Sequence, residues 1–341
     1  MADDELAAPI EAFCRAQLGD ANAFVDEVGV LDGHAGFSYG FRVRYQRQAE
    51  QVRERLVLRL PPPGVRLAGP ADVLRQAQVL RVLAGSAVPV APVRWASDER
   101  RWFGRPYTIV ERLPGATLRL IGDGVLPALL SPDTLASMAG QAIQALADLH
   151  DLDWTALLPE WGPPATLEEE VWRWDFLVER AAETRLIGAA PALRDRLLET
   201  RPETRRTGIV HGDFQWANLL FEKGALRAVL DWELAGIGSV LKDLGWLMVF
   251  SDPESWGDEV RWHIPLPEPA WLAERYAQAS GRQLRDLAWH RALAGYNFGL
   301  IAAFNLRLHR RGRRVDPFYE TLASSIPRLF ARANQVLDGA D

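Results

Sequence analysis

The chain has 341 residues, of which 48% are hydrophobic and 25% charged, and its net charge is −6. These values exclude a disordered chain, leave room for one large or two modest domains with a sizeable core, and argue against a general nucleic-acid binder. One cysteine, Cys14, excludes an internal disulfide or a cysteine metal cluster and points to a reducing cytoplasm.

The N-terminus, Met-Ala-Asp-Asp-Glu-Leu, lacks the basic start and apolar core of a signal peptide, and no apolar run is long enough to span a membrane. Residues 5–18 have the spacing of an amphipathic helix, with Leu6, Ile10 and Phe13 on one face. Residues 24–31 and 41–45 read as strands around a turn bearing Gly33, Gly36, Phe37 and Ser38. Such a hairpin can lay backbone N–H groups over phosphates. Residues 55–60 form a strand that Pro61-Pro62-Pro63 must end. Residues 71–84 read as a helix, with Asp72 placed to cap its start. Residues 88–96 and 104–112 are expected as strands, and Leu113-Pro114-Gly115 breaks the pattern.

From Ser131 the period becomes helical. Leu135, Met138, Ala142, Ile143, Leu146 and Leu149 form one stripe, closed by His150. Further helices are expected over 166–182 and 191–199. Then comes Ile209-Val210-His211-Gly212-Asp213-Phe214-Gln215-Trp216-Ala217-Asn218, a short apolar strand, a turn at Lys223-Gly224, and Ala228-Val229-Leu230-Asp231. Asp213, Asn218 and Asp231 stand at the ends of apolar runs. These types suit Mg²⁺-dependent phosphoryl transfer: Asp213 orients an acceptor hydroxyl and takes its proton, while Asn218 and Asp231 hold the metal against nucleotide phosphates. Protein kinases show the same order. Helices over 240–250, 270–280, 284–308 and 317–337 complete the chain.

The set His211-Gly212-Asp213-Phe214 with Asn218, then Asp231-Trp232-Glu233, resembles the aminoglycoside phosphotransferase / choline kinase superfamily. Its wording is most like the kinase-like branch of the acyl-CoA dehydrogenase 10/11 type, and the resemblance covers nearly the whole chain. It implies an α+β, bilobal protein-kinase-like fold. Residues 1–111 would form a small β-rich N-terminal lobe and residues 112–341 a larger, mainly helical C-terminal lobe, with ATP between them. It also implies that Gly33, Gly36, Phe37 and Ser38 cover the phosphates. Arg59 stands where kinases carry a phosphate-gripping lysine; the only lysines here are Lys223 and Lys242. Gln76 occupies the place of the family's glutamate that holds this cation, which is a departure. Backbone groups from Glu111 to Leu113 would meet the adenine edge. His150 would be structural, and Asp243 would brace the catalytic loop.

The expected activity is an ATP- and Mg²⁺-dependent O-phosphotransferase of a small-molecule alcohol. The acceptor is a hydroxyacyl compound or its CoA thioester, or an antibiotic or other natural product. Two features bear on it: the tryptophans Trp154, Trp161, Trp172, Trp174, Trp246, Trp256, Trp262 and Trp271, and the cationic run His309-Arg310-Arg311-Gly312-Arg313-Arg314. Acids such as Glu168, Glu169, Glu170, Asp252, Glu254, Asp258 and Glu259 are interleaved with Arg and Trp, which disfavours a polycationic aminoglycoside. The alternative is a nucleotide-binding, pseudokinase-like module without turnover, supported by Gln76 alone. No nucleic-acid or membrane partner is expected, and the chain is expected to be a monomer or homodimer.

Overall fold

A computed structural model describes residues 4–31, 37–48, 50–118, 130–203, 205–260 and 265–339. The chain forms two compact units. Met1–Gly115 and Arg227–Leu234 make the first; Ala116–Leu226 and Ala235–Asp341 make the second. Arg227–Leu234 therefore groups with the N-terminal part, whereas the sequence placed it in the C-terminal lobe.

The first unit begins with helix α1 (Asp4–Leu18). Strands β1 (Phe24–Val30), β2 (Ser38–Arg47) and β3 (Glu50–Arg59) follow, then helix α2 (Val73–Leu83) and strands β4 (Val93–Ser97) and β5 (Tyr107–Glu111). They form an antiparallel sheet in the order β1-β2-β3-β5-β4. Ile10, Phe13 and Cys14 of α1 are fully buried against Phe41, Val43, Leu56, Leu58 and Ile109. The Phe13 ring lies 5.3–5.6 Å from Trp95, Trp102, Phe103 and Tyr107. Burial, then Glu11 and Glu54, push the Cys14 thiol up to about 12, so it acts as a packing group.

β3 starts at Glu50, not at residue 55. Its first half is too polar to read as a strand, but it pairs along the whole of β2. Tyr45 donates to Glu54 at 2.9 Å, and Arg94 pairs with the same carboxylate at 3.1 Å. β4 starts later than expected because Pro89 and Pro92 delay it.

The second unit contains β6 (Ala116–Thr117), the long helix α3 (Pro132–Asp151), a single turn α4 (Trp154–Leu157), α5 (Leu167–Trp172) and α6 (Ala190–Glu199). β7 (Thr207–Val210), β8 (Leu219–Glu222), β9 (Ala225–Val229) and β10 (Gly236–Ser239) follow. The chain ends in α7 (Leu241–Val249), α8 (Pro269–Ser280), α9 (Leu287–Arg310), a single turn α10 (Phe318–Thr321) and α11 (Ser325–Leu337). β7 pairs antiparallel with β10, and β6 with β8. β9 begins in this unit and runs into the first. The predicted stripe of α3 is buried throughout. α9 is apolar nearly all round and central, as such a helix must be.

Two expected helices are broken. Thr166 and Glu169 form a capping box that starts α5, but the helix stops at Trp172 instead of reaching 182. A 3-10 stretch (Asp175–Arg180) follows, and its first residue, Asp175, is held by the Tyr296 hydroxyl at 2.8 Å and Arg194 at 3.2 Å. The helix expected over 317–337 splits into α10 and α11. At the break, Ser324 donates to Glu259 at 2.8 Å and Ser325 Oγ accepts the Gly257 N–H at 2.8 Å.

Candidate active site

The first unit carries a cluster built on Arg59, the last residue of β3. Its neighbours across the sheet are Ser38 on β2 and Thr108 on β5. Among the described residues, the guanidinium makes three hydrogen bonds. Nη1 donates to Gln76 Oε1 at 2.9 Å, Nη2 to Asp231 Oδ1 at 2.7 Å, and Nε to Ser38 Oγ at 3.4 Å. Burial works against its charge, but Asp231, with Glu233 beyond it, holds its pKa above the ordinary arginine value. Gln76 is buried on α2, and its amide N–H donates to the Pro70 carbonyl at 3.1 Å. Asp72 caps α2 as expected, accepting from the N–H groups of Leu74 and Arg75.

Asp231 sits at φ +62°, in the left-handed region. That conformation costs a non-glycine residue about 1–3 kcal/mol and marks positions the surroundings over-determine. Here the Val229 N–H donates to the Pro89 carbonyl at 2.8 Å, and the Trp232 indole donates to the Val229 carbonyl at 2.9 Å. The turn is thus pinned on the N-terminal side of Asp231 and directly after it.

The other predicted residues of this unit, except two, have described places in the chain. Phe37 is half-buried beneath the Arg105 guanidinium, 5.6 Å from the ring centre. Gly33 and Gly36 lie outside the described residues. Glu111 ends β5, with its N–H on the Pro92 carbonyl at 2.9 Å. The Arg112 N–H reaches the Arg55 carbonyl at 2.8 Å, and Leu113 follows directly.

The second unit carries the loop between β7 and β8. Gly212, at φ +84°, makes the tight turn into Asp213. The Asp213 N–H reaches His211 Nδ1 at 3.2 Å. Side-chain donors converge on the Asp213 carboxylate. Trp246 Nε1 lies 2.8 Å and Gln215 Nε2 3.2 Å from Oδ1, while Asn218 Nδ2 lies 2.9 Å from Oδ2. Asn218 Nδ2 also donates to the Asp213 carbonyl at 2.9 Å. The amide N–H groups of Asn218 are thus turned onto Asp213, which leaves its carbonyl oxygen as the atom to offer a cation.

Behind the loop, fully buried Asp243 accepts the His211 N–H at 2.7 Å and the Gly212 N–H at 2.8 Å. His150 Nε2 stands 3.3 Å from the same carboxylate, and its Nδ1 is 2.7 Å from the Tyr276 hydroxyl. Burial alone would raise the Asp243 pKa; the His150 hydrogen bond and charge, with His211, bring it below the usual carboxylate value. Asp243 has the bracing place expected of it, and His150 is a buried structural residue behind it. Phe214 and Trp216 are buried anchors of the loop.

The acceptor features divide. Trp246 and Trp256 join Phe250 and Phe298 in a ring cluster with centroids 4.7–5.9 Å apart. The other tryptophans are dispersed: Trp172 lies under Arg194 and Trp271 under Arg275, and Trp262 is outside the described residues. In the cationic run, Arg310 pairs with both Glu320 and Glu183. Arg307, Arg310 and Arg311 line a small cavity of about 250 Å³. Several of the acids hold cations as well. Asp252 takes Arg291 at 2.6 Å and Arg332 at 2.8 Å; Glu170 takes Lys242 at 2.5 Å and Arg173 at 3.2 Å. Asp258 takes Arg328 at 2.8 Å.

The family model for the phosphotransferase enzyme family, APH, matches residues 35–296. The chain belongs to this phosphotransferase family. Its relatives include acyl-CoA dehydrogenase family member 10 of Mus musculus, 33% identical over 195 residues. That match spans 56% of this chain but 18% of the mouse protein, so the chain covers less than a fifth of that relative. Hygromycin-B 4-O-kinase of Escherichia coli is 30% identical over 173 residues, 47% of each chain. A provisionally assigned aminoglycoside phosphotransferase from Ralstonia eutropha shares the fold, with a TM-score of 0.72 at 23% identity over 96% of this chain and 98% of that one. The α+β kinase-like fold and the family resemblance read from the sequence are both borne out.

Trp246 and Gln215 were not predicted as ligands of the Asp213 carboxylate. Gln215 was legible, two residues from Asp213 in the same loop. Trp246 was visible only as one tryptophan among many; its spacing of three from Asp243 on a helix is the signal that could have found it.

Proposed function

We propose that the phosphotransferase moves the γ-phosphoryl group of ATP, with Mg²⁺, onto a hydroxyl of a small acceptor that is not a polycation. The observation that carries this is the Asp213 carboxylate, on which Gln215, Asn218 and Trp246 converge while its loop is braced by buried Asp243. As the acceptor oxygen bonds to phosphorus and the bond to the ADP oxygen breaks, Asp213 orients the hydroxyl and receives its proton. The Asn218 carbonyl oxygen and the Asp231 carboxylate are the oxygens offered to Mg²⁺. That metal takes few protein oxygens and completes its shell with phosphates and water. When bound, it neutralises charge on the transferring group. Arg59 contributes a cation for the phosphates, and backbone groups from Glu111 to Leu113 are the contact for the adenine edge.

Asp252, Asp258 and Glu170, among the acids that could have received a polycation, each have a cation of their own. A hydroxyacyl compound or its CoA thioester fits this better than an aminoglycoside, and the acyl-CoA dehydrogenase relative supports it. The relation to hygromycin-B 4-O-kinase keeps natural products as the second class. The test is ADP release from Mg-ATP with 3- and 4-hydroxyacyl-CoAs, macrolides and hygromycin B. Turnover on a hydroxyacyl-CoA is expected. Turnover on hygromycin B alone would overturn the acceptor assignment.

A further inference from the structure

We propose that Trp246 is a positioning residue for phosphoryl transfer: its indole N–H fixes the Asp213 carboxylate in the orientation that receives the acceptor hydroxyl. This inference rests on the reading of Asp213 as the base. Gln215 and Asn218 belong to Asp213's own loop, so their bonds move with it. Trp246 comes from α7, and its 2.8 Å bond ties the carboxylate to a different element. Asp243 and Trp246 are three apart on that helix and so share a face. One helix face therefore holds the loop twice, by the backbone N–H groups of His211 and Gly212 and by the Asp213 side chain.

The indole itself is held. Trp246 is 4% exposed and packs edge-on against Phe298 at 5.9 Å and beside Phe250 at 5.8 Å. α7 is seated by Gly245, where a Cβ would meet backbone atoms of His290 and Arg291 at 2.7–2.8 Å. An indole N–H donates and cannot accept, so it orients the carboxylate without competing for the proton. In the transfer the acceptor O–H bond breaks as the O–P bond forms. The proton goes to Asp213, ADP leaves with the electron pair of the broken P–O bond, and Trp246 exchanges nothing.

The test uses the whole chain with water as the acceptor, read as ADP release from Mg-ATP, in Trp246→Phe and Asp213→Ala. Trp246→Phe keeps a ring and removes the donor. It is expected to lower kcat about tenfold or more, the effect of losing a hydrogen bond to a charged group, with KM for Mg-ATP unchanged. The Trp246 indole N–H resonance is expected to move in Asp213→Ala. A Trp246→Phe rate equal to wild type while Asp213→Ala is inactive overturns this inference alone. Equal rates in all three proteins overturn the reading of Asp213 and this inference with it. Should Trp246→Phe fail to fold, the indole resonance decides, assigned through its own side-chain correlations; a resonance indifferent to Asp213→Ala overturns the proposal.

Discussion

The two polar clusters, one in each compact unit, are built from different side chains. In the first, a cation and an anion face each other: Arg59 gives Asp231 a bond of 2.7 Å, and its other nitrogens reach the neutral Gln76 and Ser38. In the second, the neutral donors Gln215, Asn218 and Trp246 reach the Asp213 carboxylate. On the proposed function this difference separates the tasks. Arg59 and Asp231 must exchange each other for phosphate and Mg²⁺, so their mutual bond competes with nucleotide. The donors on Asp213 set the orientation of its carboxylate before the acceptor arrives.

The sharpest way to break the comparison is Asp213→Ala. Turnover should fall by at least about a thousandfold, with the melting temperature little changed. An unchanged rate would remove the second cluster from the chemistry.

Gly245→Ala tests the support under that cluster. The added methyl meets backbone, not a movable side chain, so the unfolding free energy should fall by about 3 kcal/mol. Activity should fall with it, because α7 carries both Asp243 and Trp246. Unaltered denaturant midpoints would show that α7 and α9 can separate freely.

His290 gives the same support a pH signature. Burial pushes it down to about 4. It sits neutral, with Nδ1 2.9 Å from the Asp286 carbonyl and Nε2 2.7 Å from the Ser239 hydroxyl on β10. A lowered folded pKa means stability present above the unfolded value and lost as pH falls towards the folded one. Between pH 7 and pH 5 the chain should lose about 2 kcal/mol through this group. Urea unfolding at both pH values, compared with His290→Asn, checks it; an equal loss in the variant would assign the effect elsewhere.

The smallest effect concerns the first cluster. Asp231→Asn frees Arg59 from its ionic partner, so metal-free ADP should bind about tenfold tighter, even as Mg²⁺-dependent turnover disappears. Calorimetric titration without metal reads this directly. Weaker binding in the variant would mean that the ion pair does not compete with nucleotide.

The contrast also explains what the sequence could reveal. Asp213, Gln215 and Asn218 lie within six residues, and a loop that short keeps its side chains together. The fold class was legible for a similar reason: α3 and α1 carry unbroken apolar stripes, and Gly and Pro punctuate the strands. Arg59, Gln76 and Asp231 come from three distant segments. Family resemblance flagged each, but not that Arg59 bonds Asp231 directly, nor that Arg227–Leu234 groups with the N-terminal part. The breaks after Trp172 and before Ser325 were hidden because remote residues meet the chain there: Tyr296 and Arg194 on Asp175, Glu259 and Gly257 on Ser324 and Ser325. Helical propensity there was sound locally and lost to tertiary contacts.

The central claim is that this chain transfers phosphoryl from ATP to an alcohol through Asp213. It is tested most directly by phosphorus NMR of Mg-ATP with 3- and 4-hydroxyacyl-CoAs, in the wild type and in Asp213→Ala. The account predicts a new phosphomonoester resonance appearing with ADP in the wild type and absent from the variant. A phosphomonoester formed equally by both proteins, or ADP accompanied only by inorganic phosphate, would contradict it.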